Sequence, residues 1–76
     1  MIKIKNDKAI KAFGQRVRDL RNSLLLSQEQ LANSADIPLS QVGRIERGEV
    51  NVTISTIYAL SKALNTPIDK LLPLVD

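Results

Sequence analysis

A chain of 76 residues with 11 Lys and Arg against 8 Asp and Glu is the size of one small domain and carries a formal net charge of +3. The sequence has neither Cys nor His, which excludes disulfides and thiolate metal sites and argues against zinc chemistry and most hydrolytic catalysis. For the same reason we expect no metal, no cofactor and no enzyme activity. No apolar run of about 18 residues and no signal-peptide pattern is present, so we expect a cytoplasmic protein with no membrane partner. The basic balance favours a nucleic-acid partner.

Apolar residues recur at helical spacing along almost the whole chain, which predicts an all-α class with five short helices in a single domain spanning 1–76. Helix 1 is expected to begin after a cap at Asn6 or Asp7, following an N-terminal arm of residues 1–8. Its apolar stripe steps by three and four residues through Ile10, Phe13, Val17, Leu20 and Leu24.

The starts and ends of the next three helices are marked by single residues. Ser27, followed three residues later by Gln30, forms a capping box that begins helix 2. Helix 3 fits residues 39–47 and closes at Gly48, which is suited to a left-handed cap. Helix 4 is expected to begin at Thr53.

A helical wheel divides helix 3 into two sides. Val42, Ile45 and Glu46 lie on the side that must face the core. A carboxylate buried there is costly without a partner, and the other charges of this helix point elsewhere, so the partner is expected from another helix. The opposite side is exposed, polar and basic, has one position without a side chain, and consists of Ser40, Gly43, Arg44 and Arg47.

Four stretches of the chain resemble the lambda-repressor/Cro-type helix-turn-helix family of DNA-binding domains. They are "RVRDLR" at 16–21, "LSQEQLA" at 26–32, "IPLSQVGRIERG" at 37–48 and "TISTIYALSKALN" at 53–65. The resemblance extends over about residues 9–72. It implies a five-helix lambda-repressor-like domain in which helices 2 and 3 form the helix-turn-helix. Helix 2 then crosses the DNA backbone, and helix 3 enters the major groove.

The resemblance also implies roles for individual residues. In this family an arginine at the end of helix 1 pairs with a glutamate near the end of helix 3, and Arg21 and Glu46 occupy these positions as a structural ion pair. The implied DNA-binding positions form three groups: the phosphate-contacting residues Ser27 and Gln28, the base-facing residues Leu39, Ser40, Gly43 and Arg44, and the residues near the phosphates beyond helix 3, Arg47 and Asn51. Arginine contacts guanine more often than any other base, so Arg44 favours a guanine in the half-site.

Four positions depart from the family pattern. Asp36 and Asn65 stand where glycine is usual, and both residue types tolerate positive φ, so the turns are expected to be preserved. Leu25 also replaces a glycine, which leaves open whether the turn before helix 2 keeps its geometry. Pro38 replaces the usual Ser or Thr cap of helix 3 and leaves open a shift of that helix by one residue.

Two of the base-facing residues have an alternative interpretation. Leu39 packs on a thymine methyl group or only covers the turn, and Gly43 permits close approach to DNA or has no role at the groove. Tyr58 is expected to pack within helix 4 rather than to stack on bases, because no second aromatic residue accompanies it.

The C-terminal segment 66–76 is predicted to form a dimerisation helix and tail. Helix 5 is expected to begin at Thr66, with Pro67 in its first turn, and to stop before Pro73. The segment has more apolar surface than so short a helix needs for its own packing. The predicted homodimer interface consists of Ile68, Leu71, Leu72, Leu74 and Val75.

The sequence therefore predicts a bacterial or phage-type transcriptional regulator that binds double-stranded DNA sequence-specifically and is associated with the nucleoid when bound. The resemblance implies that it acts as a homodimer on a near-palindromic operator, where it is expected to repress or activate transcription by excluding or touching RNA polymerase. The alternative is an antitoxin that holds a toxin partner, or a helical protein-interaction module with the same fold.

Overall fold

The computed structural model describes residues 5–73, and this part of the chain forms five helices and no strand. The helices are α1 Asp7–Ser23, α2 Gln28–Ala35, α3 Leu39–Glu46, α4 Ile54–Ala63 and α5 Ile68–Leu71. None of these five is both long enough and apolar enough to cross a membrane. The predicted all-α class is confirmed.

Side-chain caps set the start of three helices. The side-chain oxygen of Asn6, one of the two predicted caps, accepts a hydrogen bond from the amide of Ala9 at 3.0 Å at the start of α1. Residues 7 and 8 of the predicted N-terminal arm therefore belong to α1, and residues 1–4 of that arm lie outside the described residues. The capping box of Ser27 and Gln30 is formed in both directions, with distances of 2.8 and 3.0 Å. Thr53 caps α4 through its own side chain.

Proline occupies the cap position of the other two helices. α3 begins at Leu39 directly after Pro38, so no shift occurs and the exposed side of this helix keeps the predicted register. α5 begins after Pro67, one residue later than predicted from Thr66. The hydroxyl of Thr66 donates instead to the carbonyl oxygen of Leu64 at 2.9 Å, so it points back to α4.

Four helices end in the same backbone arrangement, in which a residue with positive φ follows the last turn: Leu25 (59°), Asp36 (58°), Gly48 (74°) and Asn65 (49°). At each end the amide of this residue and the next amide donate to carbonyl groups of the last turn, which is a Schellman motif. Leu25 thus keeps the geometry usual for glycine. The left-handed conformation costs a leucine about 1–2 kcal/mol, so this turn is strained.

The core lies between the first four helices, and the end of α5 closes it. The residues buried in one cluster are Phe13, Val17, Leu31, Ala32, Ala35, Val42, Ile45, Leu60, Leu64 and Leu71. On α1 the predicted apolar stripe reaches Leu20, which is partly buried and packs against this cluster, whereas Leu24 is 45% exposed. Each core helix contributes one face, as the helical periodicity predicts.

A second stripe of α1 lies against α3. The backbone at Gly14 approaches the end of α3 so closely that a Cβ there would overlap the carbonyl oxygen of Ile45. One turn earlier Lys11 lies against Gly48, where a Cβ would stand 2.7 Å from the Cγ of that lysine. Glycine at both positions permits this approach and sets the contact between α1 and the C-terminal end of α3.

Candidate nucleic-acid interface

The outer face of α3 carries the side chains that the sequence predicts at the base edges. Val42 and Ile45 are each 1% exposed and anchor the inner face in the core. Ser40 and Arg44 are exposed on the opposite face, four residues apart and therefore neighbours on the helix surface. Leu39, at the start of the helix, is 47% exposed. Ser40 and Arg44 therefore form a polar surface with one positive charge, and Leu39 adds an apolar edge at the start of the helix.

Glu46 holds α3 in its orientation. It is 4% exposed and accepts hydrogen bonds from side chains of α1 and α2. Arg21 donates twice, from Nε at 2.6 Å and from Nη2 at 3.0 Å. The amide nitrogen of Gln28 donates at 3.0 Å, and Nε of Arg18 donates at 3.4 Å. The carboxylate of Glu46 therefore links α3 to α1 and α2, the two helices that hold the outer face of α3 toward the surface.

The charge of this cluster is balanced inside the domain. Burial by itself raises the pKa of the Glu46 carboxyl group, but the hydrogen bonds from Arg21 and Gln28 outweigh that effect, and its pKa lies below the ordinary value. Glu46 is therefore ionised at neutral pH. Arg21 also donates from Nη1 to the carbonyl oxygen of Leu26 at 2.8 Å, which ties the segment before α2 to the same cluster.

The residues predicted at phosphates lie at the start of α2 and after α3. Ser27 is exposed, and its hydroxyl oxygen accepts the amide of Gln30, which leaves the hydroxyl proton free to be donated. Gln28 is partly buried and uses one amide hydrogen for Glu46; an amide group has two. Asn51 is exposed in the segment between α3 and α4.

Gly43 has a different environment from the one predicted. It lies on the outer face of α3, yet it is buried, because Arg47 covers it. Nη1 of Arg47 is 2.9 Å from the position that a Cβ at residue 43 would take. Nε of Arg47 donates to the carboxylate of Glu49 at 2.7 Å, and both side chains are about half exposed. The bare backbone expected at this position is thus occupied by a guanidinium group.

The predicted dimer interface is wrong at one position. Leu71 is fully buried in the core of the domain and has no surface to offer to a second copy. Ile68 is partly buried and Leu72 is 43% exposed, while Leu74 and Val75 lie outside the described residues. On α4, Ile54 and Tyr58 are 73% and 63% exposed, so the tyrosine does not pack inside the domain as expected.

Three contributions to this surface were missed in the sequence. Arg18 precedes Arg21 by three residues, so their shared face of α1 could have been inferred from helical spacing. Gly14, four residues before Arg18, lies on the same stripe, and a glycine inside a long helix is a signal of close approach. The role of Glu49 gave no sequence signal, because it depends on how Arg47 folds back along α3.

Comparison with known proteins agrees with this geometry. A helix-turn-helix family model matches residues 17–71. The chain belongs to the helix-turn-helix family. The matched region contains α2, α3 and the turn at Asp36, together with the arginines that hold Glu46. The predicted family resemblance is confirmed, and membership makes the chain a DNA-binding transcriptional regulator.

Three of the proteins to which this chain is similar are named control or controller proteins. Control protein C.SmaI from Serratia marcescens is 50% identical over 60 residues, which are 79% of this chain and 71% of that protein. Control protein C.BamHI from Bacillus amyloliquefaciens is 45% identical over 53 residues, which are 68% of this chain and 65% of that protein. The crystal structure of the restriction-modification controller protein C.AhdI from Aeromonas hydrophila matches with a TM-score of 0.81 and 40% identity, over 88% of this chain and 100% of that one.

Proposed function

We propose that the protein binds a near-palindromic DNA site as a homodimer, with α3 in the major groove, and regulates transcription as a restriction–modification controller does. The observation that carries the proposal is the outer face of α3, where Ser40 and Arg44 are exposed while Glu46, on the inner face, is tied to two other helices. A rigidly held, positively charged helix surface is what a major-groove reader requires. Similarity to control proteins along most of their length supports the regulatory role.

Within this proposal each part of the surface has a role. Ser40 and Arg44 meet base edges, and Leu39 meets an apolar group such as a thymine methyl at the rim. The start of α2, with Ser27 and Gln28, meets a backbone phosphate through side-chain donors and a helix N-terminus. The segment after α3, with Asn51, meets phosphate on the other side. The protein bound at its DNA site then excludes RNA polymerase from that DNA or contacts the polymerase.

Selection of bound duplexes from a random pool tests the proposal. Purified protein should enrich a sequence with two related half-sites whose centres lie about 34 Å apart, since a two-fold dimer places its recognition helices at that spacing. Affinity for the enriched duplex should fall steeply with salt, by a log–log slope of about −0.9 for each phosphate contacted. A pool without enrichment, or an affinity that does not depend on salt, would contradict DNA reading by this domain.

Arg44→Ala tests the placement of α3. We expect it to lose about 1–3 kcal/mol on the selected duplex and to relax the choice at one base position. The matched control is Arg16→Ala, which removes the same charge from an exposed site on α1 and should leave base preference unchanged. Equal effects of the two variants would mean that α3 does not lie in the groove.

The homodimer is proposed through the exposed apolar surface of α4 and the end of α5. Ile54 and Tyr58 lie one turn apart on the same face of α4, and Leu72 is the exposed leucine at the end of α5. Sedimentation at micromolar concentration should show a dimer, and Tyr58→Asp should shift it to monomer. The control is Leu25→Asp, which changes a side chain that is 90% exposed elsewhere on the surface. A wild-type protein that sediments only as a monomer, with and without DNA, would remove this part of the proposal.

A further inference from the structure

The arrangement of Gly43, Arg47 and Glu49 has a geometry that phosphate contact alone does not require. On a helical wheel Arg47 lies between Ser40 and Gly43, within the outer face of α3. Helical side chains lean toward the N-terminus, and that of Arg47 lies back along α3, with Nη1 over Gly43. The guanidinium therefore stands about one helical turn, roughly 5.4 Å, closer to the N-terminal half of α3 than its own backbone does.

The orientation of the guanidinium matters as much as its position. The carboxylate of Glu49 accepts a hydrogen bond from Nε of Arg47 at 2.7 Å. Nε lies on the side edge of the guanidinium group. The two terminal nitrogens remain at the free end, and a bidentate contact to guanine uses a pair of donors of this kind. An arginine whose side edge is already paired is held in one plane, so less side-chain entropy is lost when the base is bound.

The position of Glu49 is itself set by the backbone. Its amide donates to the carbonyl oxygen of Arg44 at 2.9 Å, and the amide of Gly48 donates to Ile45 at 3.0 Å. This Schellman motif depends on the positive φ of 74° at Gly48. The turn after α3 therefore places the carboxylate of Glu49 beside Nε of Arg47.

We propose that Arg47 is a specificity-determining residue that reads a base from the space that Gly43 leaves free, with Glu49 as the positioning residue that orients its guanidinium. The expected base is guanine, because its two major-groove acceptors match two parallel donors. Gly43 has a defined role in this arrangement: its missing side chain makes room for the arginine and not for the DNA backbone. The inference rests on the proposed DNA-binding function and deepens it.

Arg47→Lys is the first test, because it keeps the charge and removes the planar pair of donors. Binding is measured by fluorescence anisotropy on the duplex that the wild type selects, on its single-base variants and on unrelated DNA. We expect a loss of roughly 5- to 150-fold on the selected duplex, loss of preference at one base position, and unchanged binding to unrelated DNA. If the lysine variant keeps the full preference, Arg47 contacts only phosphate and the inference is wrong.

Gly43→Ala is the second test and separates recognition from folding. The added methyl group would stand 2.9 Å from Nη1 of Arg47 and must displace the guanidinium, while alanine strengthens the helix. We expect a higher Tm together with loss of preference at the same base position that Arg47→Lys relaxes. The double variant should lose no more than either single one, because both act on the same contact. Independent base positions, or full preference in Gly43→Ala, would overturn the inference.

Glu49→Ala tests the positioning role. Removing a negative charge beside DNA should strengthen binding to unrelated sequences, while preference at the base position assigned to Arg47 falls. If preference at that position is unchanged or rises, Glu49 only competes with DNA for the arginine, and its positioning role is refuted. A wild-type protein that selects no sequence would refute the proposed function as well, whereas selection that survives all three variants refutes this inference alone.

Discussion

Glu46→Gln is the change that most directly tests how the domain holds α3 against α1 and α2. The substitution keeps the size of the side chain and one acceptor oxygen, but it removes the negative charge. The new amide hydrogens then face the guanidinium of Arg21, which is only 13% exposed, and the donors from Arg18 and Gln28. The variant should lose stability mainly because the buried guanidinium of Arg21 then has no negative charge beside it.

The magnitude follows from burial and from the number of contacts. Breaking a buried ion pair by removing one partner costs about 3–5 kcal/mol, and glutamine should lie near the lower end because it retains an acceptor. For a domain of this size about 3 kcal/mol corresponds to a fall in Tm of roughly 12–24 °C. A total stability of about 4–11 kcal/mol, from the usual range per residue, leaves the variant folded at low temperature.

Thermal and urea unfolding followed by circular dichroism measures the effect, and Glu49→Gln is its matched control. Glu49 pairs with Arg47 at 2.7 Å, close to the 2.6 Å between Glu46 and Arg21, but it is half exposed. The same substitution there should change Tm very little, since exposed pairs are screened by solvent. Equal shifts for the two variants, or a loss below about 1 kcal/mol for Glu46→Gln, would refute the argument that burial gives this carboxylate its importance.

Three further predictions follow from the same structure. The stability difference between wild type and Glu46→Gln should be constant from neutral pH down to the ordinary pKa of an unfolded glutamate, about 4.3, and should shrink below it, because the folded-state pKa of Glu46 is lower still and the contribution is lost as pH falls through it; urea melts at several pH values measure this. Leu25→Gly should raise stability by about 0.5–1 kcal/mol in urea melts, because it relieves a left-handed leucine at φ 59°, and a loss would mean that the exposed side chain has a packing role. Gly14→Ala should destabilise by at least about 1–3 kcal/mol through overlap with the carbonyl oxygen of Ile45, whereas Gly43→Ala should stabilise by about 1 kcal/mol; thermal melts with the same sign for both would contradict the contacts described at these glycines.

Helix placement was predictable because its signals are local. Caps such as Ser27 and Thr53 and the apolar spacing of α1 act within one or two turns, so the sequence contains them directly. The outer and inner faces of α3 follow from the same periodicity, and with them the prediction that Glu46 needs a partner from another helix. Where a predicted helix boundary was wrong, the error was a single residue, as at the start of α5.

Leu25 shows where local preference stops being informative. Its residue type disfavours the left-handed conformation, yet the Schellman motif after α1 requires it. The link between α1 and α2, and the hydrogen bond from Arg21 to Leu26 within it, override the preference of one side chain. The backbone preference of one residue contributes about as much free energy as one tertiary contact, so the packing around this turn decides its conformation.

By itself the sequence determined the class of the protein, the helices of the described residues, the family and the two faces of α3, because all of these depend on patterns repeated within a few residues. Tertiary structure decided which side chains meet: that Gln28 and Arg18 join Arg21 at Glu46, that Leu71 belongs to the core, and that Arg47 lies over Gly43. These contacts depend on the distance between helices and on the direction of long side chains. Neither quantity is encoded in the spacing of residues along the chain, so only the folded arrangement could supply them.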